Sequence, residues 1–136
     1  MSPDEAFLYV ASDSKGIVLV DLKSREMKPI RNRLAIDMTS IDGLLLYHNS
    51  LIGILNGNAD RREHCIIRYQ LSADGREIVA AAILDINHPL FDVPTTGVIA
   101  NGELYCLAAT RLNSLKQDGT FDINVLKDPV VLRYKL

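Results

Sequence analysis

The feature that most constrains this chain is an internal repeat. Residues 16–22 (GIVLVDL), 65–71 (CIIRYQL) and 130–136 (VVLRYKL) align without a gap. Each opens on large or β-branched apolar residues, passes into alternation and closes on Leu, which is a strand period built from strand-forming residues. A second set of strand-like segments precedes these, at 7–12, 51–55 and 104–108. A third occurs twice, at 42–46 and 96–100, and a fourth twice, at 26–30 and 77–84. Asn101-Gly102 is a strong hairpin signal, because both residue types tolerate positive φ. The turn 47–50 occupies the matching place one repeat earlier. No helical periodicity of useful length interrupts the series.

Lettered by set, the strands read B-C-D, A-B-C-D, A-B-C. Four strands in about 45 residues is the size of one propeller blade. A sandwich need not repeat the same four-strand phrase, and a solenoid has a shorter, more regular period. The expected fold is therefore all-β: a partial β-propeller of about two and a half antiparallel blades. The blades span 1–33, 40–86 and 95–136 of a single domain, 1–136, that forms part of a six-bladed ring. The first unit lacks an A strand and the last a D strand. This phrase implies an upstream half outside the chain, or self-association through open sheet edges. By strand letter, two copies do not tile, because B-C-D cannot complete A-B-C without duplicating strands.

Composition narrows the partners. Lys and Arg number 15 against 17 Asp and Glu, leaving no electrostatic footprint for nucleic acid or an anionic membrane. The longest apolar run, 78–84, is far too short to span a bilayer. Cys65 and Cys106 make neither a disulfide framework nor a zinc pattern and read as small buried residues. No serine has a Gly-x-Ser-x-Gly context, and no phosphate-cradling glycine loop is present.

Loop length is asymmetric. Connections 31–40, 56–64, 85–95 and 110–129 are long and, in a blade, emerge on one face, whereas the turns of the other face are short. Long loops on a rigid scaffold are where function concentrates. Asp42, at the head of an A strand, can offer oxygen to a hard cation, or simply precede Gly43 in a turn. Asn56 can supply a carbonyl oxygen, or be part of the Asn56-Gly57-Asn58 turn. His88 can act as a general base near neutral pH, or bond within its own loop. Arg61 and Arg62 can meet an anion or form a solvated charge run.

The segments Ser40-Ile41-Asp42-Gly43 and 51–57 (LIGILNG) resemble the gluconolactonase and regucalcin-like six-bladed propellers. The opening 2–11 (SPDEAFLYVA), followed by 16–22, is similar to the same superfamily, and 87–97 (NHPLFDVPTTG) resembles uncharacterised bacterial members. The resemblance covers nearly the whole chain but only about the last half of such a propeller. It implies a hydrolase of lactones or esters that uses calcium or another divalent cation in a central channel. Asp42 matches the Asp that serves as metal ligand and general base. Asn56 would add an oxygen, and His88 would face a small-molecule substrate. The family's remaining Glu and Asn ligands would lie upstream of Met1, so the chain is expected to be inactive by itself. The same loop face also suits a non-catalytic module that binds a protein or small ligand.

Overall fold

A computed structural model describes residues 1–2, 4–34, 36–57, 63–124 and 126–136. These residues are all-β, with eleven strands and a single 3-10 turn, Leu112–Ser114, as the only helical element. The strands are β1 (Phe7–Ser12), β2 (Gly16–Asp21), β3 (Met27–Pro29), β4 (Arg31–Asn32), β5 (Ile41–Tyr47) and β6 (Ser50–Leu55). They continue as β7 (Cys65–Leu71), β8 (Glu77–Ile86), β9 (Gly97–Ala100), β10 (Glu103–Ala109) and β11 (Val130–Lys135). They form three sheets, ordered β1-β2-β3, β4-β8-β7-β6-β5 and β11-β10-β9. The edge strands β1, β5 and β9 lie against one another in series, and the assembly curls as a half-barrel.

Alternation explains the layering. In β6, Leu51 points to one side and Ile52 and Ile54 to the other, and all three are fully buried. On the first side Leu51, Ile67, Tyr69 and Ile78 pack with Phe7, Ile17 and Leu19 of the first sheet. On the second side Ile52, Ile54 and Ile66 pack with Leu104 and Cys106 of the third. The central sheet therefore has two apolar faces, as a sheet covered on both sides requires. Polar bonds pin the layers: the Tyr9 hydroxyl donates to the Gly75 carbonyl at 3.0 Å, and the Tyr134 hydroxyl to the Asp85 carboxylate at 2.8 Å. The Arg76 guanidinium lies 4.9 Å from the Phe7 ring centroid.

Two of the long connections are shorter than the sequence suggests. Arg31 and Asn32 form β4, which runs parallel to β8 and straps the first sheet's exit to the second sheet's edge. A nearly buried carboxylate anchors it, since Glu77 ion-pairs with Arg33 and lies 4.0 Å from Arg31. Asp85 and Ile86 belong to β8, where they pair with Ile66 and Cys65. Register shifts leave Val79 and Leu84 unmatched as bulges, so β8 stays in register with β7 over ten residues. The hairpin signal Asn101-Gly102 does form a turn, with φ of 52° and 76°.

Candidate functional site

The head of β5 is irregular. Ile41 pairs with Leu55 and Gly43 with Ile54, so Asp42 has no opposite number and is the extra residue of a bulge. Bulges re-aim a side chain out of a ladder. Ser40, just before, has φ of 58°, and its carbonyl accepts from the Asn56 amide nitrogen at 3.4 Å. This backbone contact holds the start of β5 against the end of β6. Asn56 Nδ2 then donates to Asp42 Oδ2 at 3.1 Å. Two residues fourteen apart in sequence thus become one polar pair, with Asp42 exposed and Asn56 half-buried. Asp42 Oδ1 and Asn56 Oδ1 take no part in this bond.

Leu55 and Gly57, on either side of Asn56, help line a cavity of about 150 Å³ together with Ile36, Ser40, Cys65 and Ile83. Its walls are mainly aliphatic, with Asp37 and Glu63 adding carboxylates. Asp37 Oδ1 accepts from both the amide and the hydroxyl of Thr39. Burial, reinforced by the Glu63 and Asp85 carboxylates, pushes the Cys65 thiol up to about 11, so it is a wall of the cavity rather than a nucleophile.

His88 is engaged elsewhere. Its Nδ1 accepts from the Leu90 amide at 3.1 Å, and its ring lies 5.6 Å from that of Phe91. Among the described residues, no hydrogen bond or ring contact joins it to Asp42 or Asn56. Arg61 and Arg62 lie outside the described residues, as does Asn58 of the proposed turn; Gly57 has φ of 74°. Thr96, the counterpart of Asp42 in the next unit, lies beside Gly43 and accepts through its carbonyl from the Leu107 amide.

Sequence reasoning missed a second polar constellation. Asp92 accepts from Arg111 at 3.2 Å and from Asn113 at 2.9 Å, while its own backbone bridges to Ala108 and Thr110. Arg111 also donates to the Asp128 carbonyl, and the Thr110 hydroxyl donates to the Val93 carbonyl at 3.0 Å. The network clamps two long loops together and holds Val93 at φ 53°, a strained value for a β-branched residue. Sequence offers no signal for a pair so far apart beyond the polar Asp92 between Phe91 and Val93.

Among the described residues, no group of three or more His, Cys, Asp or Glu side chains stands together to hold a metal. Calcium takes six to eight oxygens, so the Asp42–Asn56 pair fits only as part of such a shell. The chain matches no protein-family model, no curated protein and no solved structure.

Proposed function

We propose that this chain is part of a β-propeller whose long-loop face hydrolyses a lactone or ester with the help of a divalent cation. In this reading the three sheets are successive blades of a six-bladed ring, and the remaining ligands come from outside the chain. The observation that carries it is the bulged Asp42, with Asn56 bonded to one of its carboxylate oxygens. The resemblance of 40–43 and 51–57 to calcium-dependent lactonases supports the same assignment.

The chemistry assigned to each residue follows from its atoms. Asp42 Oδ1, which the bond to Asn56 does not use, would ligate a cation or take a proton from an attacking water. Asn56 orients that carboxylate through its amide and offers Oδ1 as a neutral oxygen. His88 accepts at Nδ1, so in the neutral ring its proton sits on Nε2. That tautomer suits it to donate a hydrogen bond to substrate rather than to act as a base. A divalent cation, when bound, polarises the substrate carbonyl and lowers the pKa of water. The competing reading is a non-catalytic module using the same face for a small ligand or a protein. It is favoured by the mainly aliphatic cavity that Leu55 and Gly57 line beside Asn56.

The test measures hydrolysis of a panel of lactones and aryl esters with added calcium, manganese or zinc and with chelator. The propeller extended upstream and this chain alone are compared. Expected is cation-dependent turnover in the longer protein, a drop of roughly 10²-fold or more in Asp42→Ala, and little activity from this chain by itself. Turnover that survives both chelation and Asp42→Ala sinks the metal-assisted mechanism. Ligand retention on the loop face without turnover moves the assignment to the binding module.

A further inference from the structure

The repeat creates two equivalent notches, and strand register sets their correspondence. In the first sheet Phe7 lies opposite Asp21, and Leu19 opposite Lys28. In the second sheet Ser50 lies opposite Gln70, Gln70 opposite Ala80, and Arg68 opposite Ala82. Aligning 16–22 with 65–71 puts Leu19 on Arg68 and Asp21 on Gln70. Each set stands on the face that its sheet turns toward the next sheet.

The first notch, of about 70 Å³, is lined by Phe7, Leu19, Asp21, Glu26, Lys28 and Arg76. Arg76 alone comes from the second sheet. It follows the turn after β7, and its guanidinium lies 4.9 Å from the Phe7 ring centroid. Glu26 pairs with Lys28 at 2.8 Å, which leaves Asp21 to balance the arriving guanidinium.

The second notch, of about 220 Å³, is lined by Arg68, Gln70 and the backbone and methyl groups of Ala80, Ala81 and Ala82. Its charge is reversed, since Arg68 is the one ionic side chain in that wall. Arg68 Nε donates to Ser50 Oγ at 3.0 Å, and the Ser50 hydroxyl, 1% exposed, donates to Gln70 Oε1 at 3.1 Å. Gln70 Nε2 donates to the Asn49 carbonyl at 2.7 Å, and the Tyr47 ring centroid lies 5.5 Å from Arg68 Cζ. These contacts fix the guanidinium. Among the described residues its two Nη groups have no hydrogen-bond acceptor and no ion pair. A guanidinium held in this way suits a carboxylate, which takes two parallel N–H bonds. By the repeat, β11 is the counterpart of β7. β7 is flanked by β8, whereas β11 is an edge strand. A segment added along β11 as β8 lies along β7 brings its turn to the Arg68 notch, just as β8 brings Arg76 to the Phe7 notch.

We propose that the Arg68 notch receives an Asp or Glu side chain from an extended segment that adds to the free edge of β11. The segment comes from outside the chain, so the inference rests on the reading of the three sheets as successive blades. It specifies the chemistry of the closing strand, whose turn carries an acid where the second sheet's carries Arg76. Main-chain bonds to β11 supply attachment, and the pair with Arg68 supplies register.

The probe is a capped, labelled peptide of residues 72–86 (SADGREIVAAAILDI), made unchanged and with Arg76→Glu. Its binding to the chain is read by fluorescence anisotropy. The Arg76→Glu peptide is expected to bind about 10-fold more tightly than the unchanged one. The preference is expected to reverse in Arg68→Glu and to vanish in Arg68→Gln, each with the circular dichroism of the wild type. Equal binding of the two peptides, or binding of neither up to about 1 mM, overturns the proposal. So does a preference for the acidic peptide that survives Arg68→Gln, because the acid is then read elsewhere. A preference for the unchanged peptide overturns it in favour of strand exchange at β8. None of these outcomes bears on hydrolysis at Asp42, which the lactone and ester panel tests separately.

Discussion

At the scale of single residues, burial controls the ionisable groups of the core. Cys65 and Cys106 are nearly or fully buried, and desolvation raises both thiols from 9.0 to about 11. Tyr134 is raised as well, first by burial and then by its bond to Asp85. In each case the folded chain holds a proton that the unfolded chain releases earlier. The associated stability is complete below pH 9 and is lost as pH rises toward 11, by on the order of 2 kcal/mol per buried thiol. Urea midpoints are therefore expected to hold between pH 7 and 8 and to fall between pH 9 and 10.5. Midpoints that stay level to pH 10.5 contradict this account. Both thiols should also react slowly with a disulfide reagent at pH 8. Tyr134→Phe removes a hydroxyl that bonds a carboxylate across two sheets, at a cost of about 1.5–3 kcal/mol. Equilibrium urea unfolding reads it, and an unchanged midpoint shows the bond contributes nothing net.

At the scale of elements, the close approach of β5 to the segment before β9 is set by Gly43. A Cβ built there meets the Thr95 carbonyl oxygen at 2.5 Å and Ile54 Cδ1 at 3.1 Å. The nearest obstacle is backbone, so Gly43→Ala must displace one of the two segments. The expected destabilisation is about 1–3 kcal/mol, again read from the urea midpoint. Because Gly43 follows the bulged Asp42, any activity assigned to Asp42 is expected to fall along with stability. Full activity and stability in Gly43→Ala shows instead that the sheets separate freely at this point. The strap β4 is the other element with a distinct role. Its two residues pair with Glu77 and Ile78 and so cover the start of β8's outer edge, where unpaired backbone groups would otherwise be open to another chain.

At the scale of the whole molecule, two core clusters share the central sheet, so the second sheet supports the other two. Leu51 is fully buried in one of these clusters, and Leu51→Ala is therefore expected to cost about 2–5 kcal/mol and to lower the urea midpoint of the whole chain in one transition. A first or third sheet that melts separately contradicts this.

What the sequence determined by itself is what short-range pattern can encode. Period-two alternation at 16–22, 65–71 and 130–136 marked β2, β7 and β11, and Asn101-Gly102 marked a hairpin, because these depend on neighbouring residues alone. The bulk of Asp42 and Asn56 as candidates was legible in the same way, from residue type at the ends of strands. Their meeting at 3.1 Å was not. It depends on a one-residue bulge in β5, which alternation read along one strand cannot reveal. The strap β4, the extension of β8 to Ile86 and the Asp92–Arg111 clamp were likewise decided by partners far away in the chain. Which face of the first sheet is covered was also a tertiary decision. Its residues are apolar on both sides, so only the packing of the second sheet distinguishes Phe7, Ile17 and Leu19 from Leu8, Val10 and Met27. The repeat thus settled ten of the eleven strands, and the tertiary structure added β4 and decided which surfaces pack.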